Sequence, residues 1–141
     1  MRHLNQTCKL NRTTAHRRCM FANMLKSLIT HGRIQTTIPK AKALRRYADH
    51  MITLAKKNTL SSRRQAIAEL MIRFNPLTAK EQRQVRQGNT ESYNDDRNVI
   101  NILFGELANR FGERQGGYTR IIKQSEHRKG DNAQTCLIEY I

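Results

Sequence analysis

The uneven placement of charge is the feature that most constrains how this chain can fold. Residues 1–64 contain 15 Lys or Arg and a single acid, Asp49, whereas residues 65–141 contain 11 cations and 10 acids. Charged side chains are almost never buried without a partner, so the first half must keep its cations on outward faces. Any helix in that half is therefore expected to be apolar on one side and basic on the other.

The first half has the pattern of two such helices. Apolar residues recur at helical spacing across residues 20–29, which predicts a helix from Thr13 or Thr14 to about Thr30. The same spacing predicts a second helix over residues 39–57, with a proline in its first turn. Lys42, Arg45, Arg46 and Lys56 are expected on the side opposite the apolar stripe, and Lys40 in the first turn.

The remaining elements complete an α+β pattern. A short strand is predicted at residues 33–37, a third helix from Ser61 or Ser62 to Phe74, and a fourth main helix at about 95–110. Alternating residues then predict strands in "GGYTRIIK" (116–123) and "AQTCLIEYI" (133–141). The expected fold is about four main helices packed on a small three-stranded sheet.

The predicted domain organisation is simple. Residues 1–12 are basic and nearly free of apolar side chains, which is typical of an N-terminal arm, and residues 13–141 are expected to form a single domain. Within that domain, residues 73–95 are expected to be a polar insertion. Their predicted helix, at 78–88, contains only Ala79 and Val85 as apolar residues, although Thr78 and Glu81 have the spacing of a capping box.

Several functional classes are disfavoured by the sequence. No apolar run approaches the ~18–20 residues of a membrane span, and no pair of acids or nucleophile with a base is marked for catalysis. Asp95 and Asp96 are adjacent at a helix start, where negative charge is favourable anyway. A zinc site would have to use His3, Cys8, His16 and Cys19, which lack the paired spacing of structural zinc ligands. No metal, cofactor, membrane or small-molecule substrate is expected.

The formal net charge of +15 instead favours a polyanionic partner. Solvated charged faces usually alternate in sign, and a stretch with 15 cations and one acid does not. Nucleic acid is therefore the expected partner, and the first half is expected to carry the interface.

The stretch "GGYTRIIK" has two interpretations. A nucleotide-binding glycine loop lies between a strand and a following helix, but here the predicted helix comes first, so Gly116 and Gly117 are expected to turn the chain into the sheet. If Ile121 faces the core, Tyr118 and Arg120 lie on the other face, where they can stack on a base and bind a phosphate. A plain solvated sheet face is the alternative.

Five stretches of the chain closely resemble the family of bacterial ribosomal large-subunit protein seventeen. They are "HRRCMFANMLKSLITHGRIQTTIPKAKALRR" (16–46), "MITLAKKNTLSSRR" (51–64), "LFGELANRF" (103–111), "GGYTRIIK" (116–123) and "RKGDNAQTCLIEYI" (128–141). The resemblance implies an α+β fold, no catalysis, a cytoplasmic place in the large ribosomal subunit towards its exit side, and 23S ribosomal RNA and neighbouring ribosomal proteins as partners.

The resemblance also implies which residues contact RNA. They are Arg2, His3, Arg12, His16, Arg17, Arg18, Lys40, Lys42, Arg45, Arg46, Tyr118, Arg120 and Arg128. Two departures from the family pattern stand out. The arm "MRHLNQTCKLNR" lacks a dense basic run after "MRH", and residues 73–95 are longer than in the shorter members.

Overall fold

A computed structural model describes residues 8–141 of the chain. Arg2, His3 and the rest of the first seven residues of the predicted arm lie outside the described residues. The strands are β1 (Arg33–Thr37), β2 (Thr119–His127) and β3 (Gln134–Tyr140). The helices are α1 (Thr14–His31), α2 (Ile38–Lys57), α3 (Leu60–Glu69), α4 (Ala79–Arg86) and α5 (Asp95–Ile102). The predicted α+β class is confirmed.

Helices α1 and α2 begin and end close to the predicted positions. The Thr13 hydroxyl accepts a hydrogen bond from the His16 backbone N–H, and Gly32, at a φ of 72°, donates its N–H to the Leu28 carbonyl to close α1. Helix α2 is the centre of the fold, in contact with α1, α3 and the sheet. Its stripe of Leu44, Met51 and other apolar residues is fully buried.

The sheet has the strand order β1-β3-β2, and both pairings are antiparallel. The last strand therefore lies in the middle, with Ile138 facing Ile34 on one side and Ile121 on the other. The predicted addition of residues 33–37 to the two late strands is confirmed. The β2–β3 hairpin turns at Asn132, which has a φ of 50°.

The helical region that begins with α5 does not end with the regular α-helix. A π-helical segment, Leu103–Leu107, follows it and leads into a last α-helical turn, Ala108–Arg110. The sequence predicted a regular helix over this whole region, so the π-helical segment is a difference. The apolar stripe is nonetheless placed as expected, because Val99, Leu103 and Leu107 are all buried.

The predicted third helix is wrong at both ends. Helix α3 starts after Thr59, whose hydroxyl accepts from the Ser62 N–H while the Ser62 hydroxyl accepts from the Thr59 N–H. It ends at Glu69 because Met71 takes a left-handed φ of 52° and the Ile72 N–H donates to the Ile67 carbonyl, closing the helix early. Phe74 consequently lies outside the helix and is 46% exposed.

Residues 73–95 form a polar excursion that is fastened at its base. Helix α4 buries no residue fully, and its predicted capping box between Thr78 and Glu81 is present. The Arg97 guanidinium lies 4.8 Å from the Phe74 ring centroid and 5.2 Å from that of Tyr93, and its Nε donates to Asn75. Stacking and hydrogen bonds thus fix Arg97 between the two ends of the excursion.

A half-buried ion pair fixes the same region to α1. Lys26 Nζ lies 2.7 Å from a carboxylate oxygen of Asp96, whose other oxygen accepts from the Arg73 backbone N–H at 2.6 Å. Burial favours the neutral carboxyl, but the hydrogen bonds from Lys26 and Arg73 outweigh it and lower the pKa of Asp96 below its ordinary value. The negative charge of Asp96 therefore stabilises the fold.

Candidate nucleic-acid interface

The side of α1 that is buried from Phe21 onward carries basic residues in the first turns of the helix. Arg18 lies three and four residues before Phe21 and Ala22, on the same side of the helix as these buried residues. Beyond the end of the core, that side of α1 carries Arg17 and Arg18. His16 is exposed, and its Nε2 lies 2.7 Å from Nη1 of Arg12.

The cations in the first half of α2 lie outside its buried stripe. Lys42, Arg45 and Arg46 are exposed and Lys40 is partly exposed. With the two arginines of α1 they form what we call the α1–α2 face: Arg17, Arg18, Lys40, Lys42, Arg45 and Arg46.

Asp49, the only acid of residues 1–64, is tied to the sheet side of α2. Its Oδ1 accepts a hydrogen bond from the Thr119 hydroxyl at 3.2 Å. Burial, together with the nearby charge of Asp49, raises the pKa of the Tyr140 phenol. The Asp49 carboxylate thus interacts with residues of the sheet side, Thr119 and Tyr140.

A groove of about 710 Å³ runs between α1 and α2. Tyr47 lies in it and remains 43% exposed, and its ring stacks on that of Phe21 with centroids 5.1 Å apart and planes at 29°. The cationic lining consists of Arg17, Arg18, Arg46 and the ionisable His50. Glu69 is the acid of the groove, and it already contacts His50 at 3.4 Å and accepts from Gln65 at 2.9 Å.

The α1–α2 face differs from other basic residues in what its charges touch. Among residues 8–141, three ion pairs of Lys or Arg with a carboxylate and one His50–Glu69 contact occur, and none involves a member of the α1–α2 face. These six cations of α1 and the first half of α2 therefore keep their positive charge free of a carboxylate at ion-pair distance. Such an arrangement is electrostatically unfavourable for the isolated protein and is relieved by a polyanion.

Arg120 and Arg128, by contrast, are paired within the protein. Arg120 Nε lies 2.5 Å from Glu139 across the β2–β3 ladder. Arg128 is bonded to Asp131 in the hairpin turn, and this contact lowers the pKa of the Asp131 carboxyl. Both arginines are exposed, but a carboxylate already neutralises part of their positive charge.

The predicted outward position of Tyr118 is wrong. Its ring is 4% exposed and packs edge-on against Phe111 with centroids 5.2 Å apart, and its hydroxyl donates to the Arg114 carbonyl. Tyr118 lies just before β2, next to a turn that Gly116 and Gly117 make with positive φ values. The alternation of inward and outward side chains along β2 therefore does not determine where Tyr118 points. Arg120 is exposed as predicted.

Other classes of site find little support in the described residues. Between residues 8 and 141, no three His, Cys, Asp or Glu side chains come together as metal ligands. No helix of that range has the length and apolarity to cross a membrane. Cys8 and Cys19 are exposed free thiols, and Cys136 is a buried one.

The position of Tyr47 in the groove was not predicted from the sequence. The residue directly follows Arg45 and Arg46, so an aromatic beside a basic pair was a usable signal. Helical spacing, however, puts Tyr47 at the border between the apolar and basic sides of α2. Only the packing of α1 against α2 brings Phe21 under its ring.

Comparison with known proteins gives one consistent result. The family model described as ribosomal protein L17 matches residues 20–141. The chain is 79% identical over 141 residues to the large ribosomal subunit protein bL17 of Protochlamydia amoebophila, covering 100% of this chain and 99% of that protein. With the same coverage, it is 60% identical to the bL17 protein of Chlamydia pneumoniae and 59% identical to that of Chlamydia trachomatis.

Proposed function

The chain belongs to the ribosomal protein L17 family and is a structural constituent of the large ribosomal subunit, and from this premise we propose that it binds and stabilises 23S ribosomal RNA through the α1–α2 face. Members of this family are structural components rather than enzymes, and the bacterial ribosome places the protein in the cytoplasm.

The observation that carries the proposal is the set of cations without carboxylates. Lys and Arg that neutralise phosphates release condensed counterions, and this release supplies much of the affinity for nucleic acid. A cation already paired with a carboxylate gains less from a phosphate. The six members of the α1–α2 face are accordingly the principal contacts, and Arg12 and His16 extend them along α1.

Arg120 and Arg128 are proposed as secondary contacts. Each keeps free N–H donors for a phosphate, but the carboxylate beside it lowers the electrostatic gain from that contact. Arg2 and His3 remain proposed contacts by family resemblance. Tyr118 is left out of the proposed set because its ring is buried.

The rigid base under the α1–α2 face suits a structural role. Leu44 and Met51 of α2, and Leu28 of α1, are fully buried, so both helices present their cations from a packed core. The protein would therefore dock a preformed surface and hold the folded RNA by neutralising its phosphates. The domain is proposed to be single, with residues 73–95 as an insertion in solvent or against a neighbouring protein.

A salt titration with matched variants tests the interface. Arg17, Arg45 and Arg46 are replaced together by Ala, and the control replaces Lys80, Arg83 and Arg86 of α4, which removes the same charge from another surface. Binding to 23S ribosomal RNA is measured from 50 to 200 mM salt. The slope of log affinity against log salt should become shallower by about 2–3 in the first variant, at roughly 0.7–0.9 per lost phosphate contact. The control slope should not change.

Two outcomes of this experiment would contradict the proposal. The α4 variant could lose as much slope as the α1–α2 variant, which would mean that net charge and not the surface matters. Alternatively, duplex DNA could compete as well as the ribosomal RNA, which would indicate a sequence-independent DNA-compacting protein.

Position in the subunit needs a separate measurement. We propose, from the family resemblance, that the protein lies towards the exit side, next to other large-subunit proteins. The Arg45→Glu/Arg46→Glu variant, which turns two phosphate partners into repelling charges, should be depleted from large subunits sedimented through sucrose. Cross-linking of wild-type subunits should join the protein to neighbours on that side. Full incorporation of the double variant would contradict the assigned face.

A further inference from the structure

The groove between α1 and α2 combines an exposed aromatic ring with unpaired arginines, and we infer that it takes an unpaired base of the bound RNA, stacked on Tyr47. The inference rests on the proposed RNA-binding function and specifies what this part of the interface recognises. It replaces the predicted stacking role of Tyr118 with a residue from the other half of the chain.

Tyr47 is supported by a buried ring and is still accessible from the groove. Phe21, itself only 5% exposed, stacks on one face of the ring. Even with this contact, Tyr47 remains 43% exposed. Because Phe21 already restricts the Tyr47 side chain, little further conformational entropy is lost when a base stacks on its ring.

The charges that surround the ring match a nucleotide. Arg17, Arg18 and Arg46 line the groove, and none of them makes an ion pair with a described carboxylate. A stacked base would bring its own phosphate and that of the next nucleotide towards these guanidinium groups, whose planar donors suit phosphate oxygens. The single acid of the groove, Glu69, is held by His50 and Gln65.

The size and shape of the groove agree with this occupant. Its volume of about 710 Å³ is well above what one base needs, and it falls within the roughly 300–1,000 Å³ of pockets that hold small ligands. Bases inside a double helix are stacked on each other and cannot enter such a groove. Single-stranded loops and bulges present their bases freely, so the ligand is an unpaired nucleotide.

The chain contains no tryptophan, which makes a direct optical test possible. In the Tyr47→Trp variant, the only tryptophan would report on stacking in the groove. Three probes are titrated against its fluorescence: single-stranded oligoadenylate RNA, an RNA duplex with the same number of phosphates, and polyglutamate. Saturable quenching by the oligoadenylate alone is expected.

Affinities of two further variants complete the test. Tyr47→Leu keeps an apolar cover over Phe21 but removes the stacking ring, so its affinity for oligoadenylate should fall about 5- to 150-fold while its affinity for the duplex stays unchanged. Tyr47→Phe keeps the ring and should bind oligoadenylate like the wild type. Thermal melts followed by circular dichroism show whether each variant is folded.

The outcomes separate this inference from the proposed function. Equal quenching by duplex or polyglutamate, or an unchanged oligoadenylate affinity in Tyr47→Leu, would overturn the stacking site while RNA binding by the α1–α2 face still stands. If the wild type bound 23S ribosomal RNA in the salt titration but neither probe RNA, this inference alone would fall, and if it did not bind 23S ribosomal RNA either, the proposed function would fall with it.

Discussion

Two regions of this molecule carry exposed or partly exposed arginines, and they use them in opposite ways. On the α1–α2 face, Arg17 and Arg46 point into a groove without carboxylate partners. Around the sheet and the 73–95 excursion, Arg120 is paired with Glu139, and Arg97 is held by Asn75 and two aromatic rings. What a cation contacts, and not its charge alone, indicates whether it stabilises the fold or is available to a partner.

The largest expected effect contrasts the two tyrosines of these regions. Tyr118→Ala should lower the free energy of unfolding by about 3–5 kcal/mol, since a buried aromatic leaves a cavity beside Phe111. Tyr47→Ala should lower it by less than about 1 kcal/mol, because much of the ring is exposed. Urea unfolding of both variants measures the difference. A similar loss in both would mean that Tyr47 belongs to the core, and the contrast between the regions would fail.

The next effect concerns the Lys26–Asp96 pair. Asp96→Asn should destabilise the protein by about 1–3 kcal/mol at pH 7, because Lys26 would keep a partly buried charge without its partner. Asp95→Asn, at the exposed neighbouring position, is the control and should cost less, at about 0.3–1 kcal/mol. Equal losses would indicate that only the helix N-terminus matters.

The same pair predicts a pH dependence. The folded protein lowers the pKa of Asp96 below its ordinary value of 3.8, so its contribution to stability is fully present above about pH 4 and is lost as the pH falls through the folded-state pKa. Wild type and Asp96→Asn should therefore converge in stability at low pH. Urea midpoints measured between pH 7 and pH 2 check this, and a constant gap would contradict it.

A smaller effect compares one arginine from each region. Arg46→Ala should make the salt dependence of RNA binding shallower by about 1, the value expected for one phosphate contact. Arg120→Ala should change it less, since Glu139 already neutralises that charge. Filter binding over a salt series measures both slopes. An equal change would mean that the ion pair opens readily on binding and that Arg120 is a full contact.

The smallest effect is expected in α4. Thr78→Ala removes the hydroxyl that accepts from the Glu81 N–H, so amide hydrogens of residues 79–86 should exchange faster. Because α4 buries no residue fully, the melting temperature of the domain should not change. Hydrogen exchange followed by mass spectrometry measures the local opening of α4, and a thermal melt measures the unfolding of the whole domain. A lowered melting temperature would show that residues 73–95 are part of the cooperative core.

Much of the fold was predictable because apolar spacing and turn residues are local signals. The spacing located α1, α2 and the buried side of α5, and Gly32 marked the end of α1. The end of α3 was not predictable, because Met71 adopts a left-handed conformation that its residue type does not signal. The π-helical segment likewise arises within a pattern that suits a regular helix.

The candidate interface was predictable in its charge and not in its detail. The sequence indicated that the first half carries the partner surface, and helical spacing placed Lys42, Arg45 and Arg46 on the outside. Whether a cation is already paired depends on contacts between distant segments, as with Arg120 and Glu139. The roles of Tyr47 and Tyr118 depend in the same way on how α1 meets α2 and how two glycines direct the chain.

The central position of β3 has a consequence for how the chain folds during its own synthesis. The Cys136 thiol contacts the Thr36 carbonyl across a separation of 100 residues, and β1 and β2 each pair with β3 and not with each other. The sheet thus cannot assemble until its last strand has left the ribosome that makes it. Until then α2 lacks the layer that covers part of its apolar stripe, so a partly made chain exposes apolar surface of the kind that promotes aggregation.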